Sequence, residues 1–240
     1  MRLVRARTPG ELAAEAADIV AACLRENPQP ALALPTGKTP IGLYGELVRR
    51  SHLGALDLRE ARIFNLDEYC GIPAADPSSF AAMLHRHLIE PCGLRAPQVR
   101  LFDGAAADLE DECRRYERAL DASGGIDLCV LGVGANGHIA FNEPGANWNR
   151  RTHVAELSPS TRAAFEAGRP GRAAPTHGLT LGIQNIFEAR CVLLLIASPG
   201  KRAAAAALYR GVADNAWPVT CLATHGNATV IELYAPACPP

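Results

Sequence analysis

Lysine is almost missing from this chain of 240 residues. Of 24 basic residues only Lys38 and Lys201 are lysine, and the other 22 are arginine. The excess reads as codon bias, under which a retained lysine points weakly to a requirement. Net charge is missing too, at −1, so no basic field exists to hold DNA or RNA and no basic block marks a membrane-surface helix. The longest apolar runs, Cys191–Ala197 and Ala203–Tyr209, are seven residues each, against the roughly 20 that a membrane helix needs. Met1–Arg7 carries three arginines where a secretion signal needs an apolar stretch. The eight cysteines include no C-x-x-C pair, and no metal-ligand cluster is recognisable. Repeats, low-complexity linkers and a domain boundary are also lacking. These absences predict a single domain over residues 1–240, cytoplasmic, with reduced thiols that serve partly as core filler.

What is present is a core. Hydrophobic residues make up 48% and mean hydropathy is +0.01, which fits a folded globular chain. Thr8, Pro9 and Glu11 form a helix start, and the helix is expected to run to about Glu26. Short apolar runs predict strands at Ala31–Leu34, Ile63–Asp67, Val99–Phe102, Ile126–Val133, Thr152–Leu157, Leu179–Ile183, Cys191–Ala197 and Thr229–Leu233. Helical patterns fall at Ile41–Arg50, Ser79–Glu90, Asp108–Leu120, Ser160–Ala167 and Lys201–Tyr209. Strands alternating with helices imply an α/β fold with a mainly parallel sheet and helices on both faces. Ligands of such sheets bind outside the C-terminal ends of the strands. The loops to watch are therefore Pro35–Pro40, Asp67–Pro73, Gly134–Gly145 and Ser198–Lys201.

The first of these, Pro35-Thr36-Gly37-Lys38-Thr39-Pro40, joins a strand to a helix. Backbone N–H groups at the helix start, with the hydroxyls of Thr36 and Thr39, suit an anion. The nucleotide P-loop would need glycine at position 32, which is Leu32, so a phosphate cradle without a nucleotide is expected. The run Gly132-Val133-Gly134-Ala135-Asn136-Gly137 fits G-x-G-x-x-G. However, Pro144 and Gly145 stand where a dinucleotide fold puts its crossover helix, and proline costs roughly 3 kcal/mol inside a helix. Asn136, His138 and Glu143 crowd the same loop, as an acid/base site would. In Asn65-Leu66-Asp67-Glu68-Tyr69 the two adjacent carboxylates should point oppositely, one toward the ligand zone and one away.

Phe64–Tyr69 together with Gly132–Gly145 closely resembles the glucosamine-6-phosphate deaminase/isomerase family. Leu34–Pro40, Leu179–Ile183 and the turn to Lys201 resemble it too, so the likeness spans nearly the whole chain. The resemblance implies a modified Rossmann-like α/β fold, no metal and no nicotinamide or other cofactor. It implies that Asp67 moves a proton between C2 and C1 of the open-chain sugar, and that His138 opens the pyranose ring. Asn136 and Glu143 would be its partners. Because an amide cannot share a proton, Asn136 could only orient His138 by hydrogen bonding. Thr36, Gly37, Thr39 and Lys201 would hold the phosphate. Lys38 stands where many members have glycine, and it could add a charge-assisted contact to the phosphate or point into solvent. The arginine that members place near position 167 is Ala167 here, so Arg169 or Arg172 could substitute. The expected partner is a small amino-sugar phosphate, with no nucleic acid or membrane, and the chain is expected to be a monomer or small homo-oligomer. Glucosamine 6-phosphate is the first substrate. Its galactosamine epimer and a 6-phosphogluconolactonase-like hydrolysis are the alternatives.

Overall fold

In the computed structural model, described over residues 1–169, 171–197 and 199–234, the chain begins with a strand, β1 (Arg2–Ala6), and helix α1 (Pro9–Glu26). Ser198 of the fourth loop, Pro170 and Cys238 lie outside the described residues. α1 starts as its sequence dictates, with the Thr8 hydroxyl accepting the Glu11 N–H at 3.0 Å. β2 (Ala31–Leu34), α2 (Ile41–His52) and β3 (Arg62–Asn65) follow, then the short strand β4 (Asp67–Tyr69). Helix α3 (Phe80–Leu84) runs into a wider π turn at His85–Ile89, where Glu90 N–H reaches His85 O at 3.0 Å. After β5 (Val99–Arg100) come α4 (Leu109–Ala122), β6 (Leu128–Gly132), β7 (His153–Glu156), α5 (Pro159–Ala167) and β8 (His177–Thr180). α6 (Ile183–Glu188), β9 (Cys191–Ile196), α7 (Arg202–Tyr209) and β10 (Ala228–Leu233) complete the fold.

Seven strands form one sheet in the order β1-β10-β9-β6-β2-β3-β5, with every neighbouring pair parallel. Side chains alternate across it, so its two faces carry two cores. Leu32, Leu34, Ile63, Val130, Leu193 and Leu195 pack with α1 and α2. Ala33, Phe64, Cys129, Leu131, Leu194 and Val230 pack with α4, α6 and α7. The α/β reading with helices on both faces is therefore what the chain adopts.

From β2 the chain moves outward to β3 and β5, and from β6 it moves the other way to β9 and β10. β2 and β6 therefore flank the point where strand order reverses, and a crevice opens there at the C-terminal edge. The register sets Leu34 beside Asn65 and Gly132 beside Leu195, so the loops after β2 and β3 leave the sheet together, and β6 and β9 run slightly further before theirs begin.

Two expectations need correction. The strand expected at Ile63–Asp67 breaks at Leu66. There the buried Asn65 side chain bonds back, its amide donating to Asp67 O at 2.8 Å and its oxygen accepting the Phe102 N–H at 3.0 Å. β4 then joins a separate sheet, β4-β8-β7, antiparallel throughout. The strand expected at Leu179–Ile183 ends at Thr180, and α6 begins after Gly182, where a Cβ would stand 1.9 Å from Arg150 O. The charged start Arg2–Ala6, to which the sequence assigned no element, is an edge strand. No helix among the described residues is long and apolar enough to cross a membrane.

Candidate active site

The loop after β2 turns at Gly37, whose φ of +93° lies in the region that favours glycine. Its N–H points to Met83 Sδ at 3.2 Å. Thr36 and Thr39 are half-buried, and Lys38 is exposed. α2 starts at Pro40 with no side-chain cap, so its first-turn N–H groups face the crevice without one. The buried Tyr44 hydroxyl donates to Pro35 O and fixes the loop to its helix.

Asp67 and Glu68 do point oppositely. The Glu68 carboxylate is fully buried and accepts the N–H groups of Tyr69 (2.9 Å), Phe80 (2.9 Å) and Ala81 (2.8 Å), the last two opening α3. Burial pushes its pKa up to about 7, against those three N–H groups and Arg169, which hold it down. Asp67 is 7% exposed, and its Oδ1 is buried with no hydrogen-bond partner. Burial, with Glu68 behind it, raises its pKa well above the usual carboxylate range. A carboxylate whose charge is this poorly supported takes up a proton readily.

The loop after β6 contains no crossover helix; the next regular element is β7. This excludes the dinucleotide arrangement that the glycines imitate. Gly134 N–H closes the loop on His138 O at 2.9 Å, and the imidazole packs over Gly134, where a Cβ would meet ring atoms at 2.4 Å. Gly137, at φ +84°, lies against Trp217. His138 Nδ1 is 3.4 Å from Glu143 Oε2, a contact longer than a good hydrogen bond. Asn136 donates to the same Oε2 at 2.8 Å and accepts the His138 backbone N–H at 3.2 Å. It thus orients the histidine through the backbone and through Glu143. Glu143 Oε1 accepts the hydroxyls of Ser158 (2.9 Å) and Thr161 (2.5 Å). Burial raises the Glu143 pKa, but His138, Thr161 and Asn136 outweigh it and hold the carboxyl down at about 2.

β8 ties the two loops together. Thr180 lies opposite Asp67 in the ladder, and its hydroxyl accepts the Phe141 N–H at 3.1 Å. Asn142 donates to Leu181 O at 2.8 Å, and Leu181 N–H reaches Leu66 O at 2.8 Å.

Lys201 ends a tight turn after β9, half-buried, with burial lowering its pKa and no carboxylate in contact among the described residues. Arg169 has other contacts. Its guanidinium lies 4.3 Å from the Phe165 ring centre and 5.9 Å from that of Tyr69, and donates to Ser78 O at 3.0 Å. None of these contacts is to Thr36–Thr39 or Lys201. Arg172 is held by both oxygens of Asp76, at 2.9 and 2.7 Å. Sequence reasoning missed Tyr44, Ser158, Thr161 and Thr180 as parts of the site. The Ser158-x-x-Thr161 spacing, a helix-start pattern, offered a signal, and Thr180 lay in the Leu179–Ile183 resemblance without a role attached.

No cluster of metal-ligating residues occurs among the described residues. The family model for "Glucosamine-6-phosphate isomerases/6-phosphogluconolactonase" matches residues 6–231. A glucosamine-6-phosphate deaminase from a Geobacillus species is 39% identical over 232 residues, covering 96% of this chain and 92% of the relative. One from Streptomyces coelicolor is 41% identical over 229 residues, covering 94% and 86%. A solved structure of a monomeric glucosamine-6-phosphate deaminase superposes with a TM-score of 0.93 at 36% identity, covering 97% of each chain.

Proposed function

The chain belongs to the glucosamine-6-phosphate isomerase/6-phosphogluconolactonase family, and from that premise we infer that it is an enzyme converting glucosamine 6-phosphate and water to fructose 6-phosphate and ammonia. The observation that carries this reading is the pairing of the His138–Glu143–Asn136 group with the buried, unpartnered Asp67 carboxylate across Thr180.

The phosphate sits at the start of α2, held by Thr36, Gly37, Thr39 and the ammonium groups of Lys38 and Lys201. Such an anchor fixes the sugar so that later steps are effectively intramolecular. His138, steadied by Glu143 and Asn136, moves the proton between O1 and O5 as the ring opens. Asp67 takes the C2 proton, leaving an enolamine, and, after the held proton has traded with solvent, gives a proton to C1, leaving an imine at C2. Water adds at C2 and ammonia departs. The raised proton affinity of Asp67 suits a group that must hold a carbon-derived proton between two positions. Arg169 is outside this set, because its contacts bind it to the aromatic cluster beside Tyr69.

The setting we propose is amino-sugar catabolism in the cytoplasm, on a small-molecule substrate. Neither nucleic acid nor membrane is a partner, and the chain acts as a monomer or small homo-oligomer. The near-zero charge and the monomeric neighbour support this. The test is ammonia release from glucosamine 6-phosphate and galactosamine 6-phosphate, run beside acid release from 6-phosphogluconolactone. Turnover of the first with equimolar ammonia is expected. Lactone hydrolysis alone, or equal kcat/KM for both epimers, would overturn the assignment.

A further inference from the structure

The Glu143 carboxylate divides its partners by oxygen. Oε2 faces Asn136 at 2.8 Å and His138 Nδ1 at 3.4 Å. Oε1 takes two hydroxyls from one helix start, Ser158 at 2.9 Å and Thr161 at 2.5 Å. Ser158 caps α5, accepting the Thr161 N–H at 3.2 Å, so its role in the fold is complete without Glu143. Thr161 has no capping duty, is buried, and commits its hydroxyl proton to Glu143. The terminal torsion of a glutamate is broad and roughly two-fold. Contacts on Oε2 alone leave the plane of the carboxylate free to turn away from the imidazole, whereas a pin on Oε1 fixes it.

We propose that Thr161, backed by Ser158, is a positioning residue for ring opening: it holds Glu143 Oε1 so that Oε2 stays opposite His138 Nδ1, leaving Nε2 for the sugar. The proposal rests on the reading of His138 as the ring-opening group. The side chains contacting the Glu143 carboxylate are Asn136, His138, Ser158 and Thr161.

A double-mutant cycle on the full chain tests it. Thr161→Val keeps the shape and removes the hydroxyl. With glucosamine 6-phosphate, kcat is expected to fall about tenfold with KM nearly unchanged, and Thr161→Ser to restore it to within about threefold. In a Glu143→Gln background the same substitution is expected to cost less than about twofold, because its route to His138 is already cut. Ser158→Gly keeps a tolerated cap and carries the same cycle if Thr161→Val does not fold. Equal costs in both backgrounds, or no rescue by serine, would overturn the proposal. Failure of the functional reading is distinguishable, because the unmutated enzyme would then release no ammonia.

Discussion

Thr180 lies directly opposite Asp67 in the small antiparallel sheet, and its hydroxyl accepts the Phe141 N–H at 3.1 Å. One buried side chain thus sets the carboxylate strand against the histidine loop. Thr180→Val would leave that buried N–H unpaired, at a cost of about 1–3 kcal/mol. Urea unfolding should show this loss, and kcat should fall together with stability. A variant with wild-type stability would contradict the account.

Gly134 makes room for His138. A Cβ there would stand 2.4 Å from the imidazole, so Gly134→Ala must displace the ring. The expected result is a loss of at least about a hundredfold in kcat, the scale of a general acid/base contribution. Inhibition by inorganic phosphate should be unchanged, since the proposed phosphate site lies on the other loop.

The two lysines should separate. Lys201 is half-buried and Lys38 exposed. A charge-assisted contact is worth about 1.5–3 kcal/mol, so Lys201→Gln should raise KM by about ten- to a hundredfold. Lys38→Gly should raise KM only a few-fold, as for a screened surface charge. An unchanged KM would make Lys38 incidental.

Asp67 should cost the fold stability. A carboxyl whose folded pKa is raised stabilises fully below its unfolded pKa, about 3.9, and that contribution is lost as pH rises through the folded value. At neutral pH Asp67→Asn should therefore raise Tm while removing activity, the trade expected at a functional site. A lower Tm at pH 7 would contradict this. Glu143 runs the other way. Its pKa is held at about 2, so its contribution is present above about pH 4.3 and fades as pH falls toward 2. Glu143→Gln should flatten that acid limb.

Much of this was legible because it is local. The Thr8 cap, the alternation that sends Asp67 and Glu68 apart, and the Pro144-Gly145 pair that rules out a crossover helix are all read within a few residues. The break at Leu66 was not, because an apolar residue there continues the strand pattern, and the turn depends on Asn65 bonding to Phe102. β1 carries too little apolar signal, being an exposed edge. The hold on Glu143 by Ser158 and Thr161 joins groups 15 and 18 residues apart, a distance at which spacing carries no geometry.

The most direct test follows solvent deuterium into C1 of fructose 6-phosphate in heavy water, with wild type and Asp67→Asn side by side. The account predicts exchange by the wild type and none by Asp67→Asn, with phosphate binding retained. Exchange at the wild-type rate in Asp67→Asn would show that another group moves the proton.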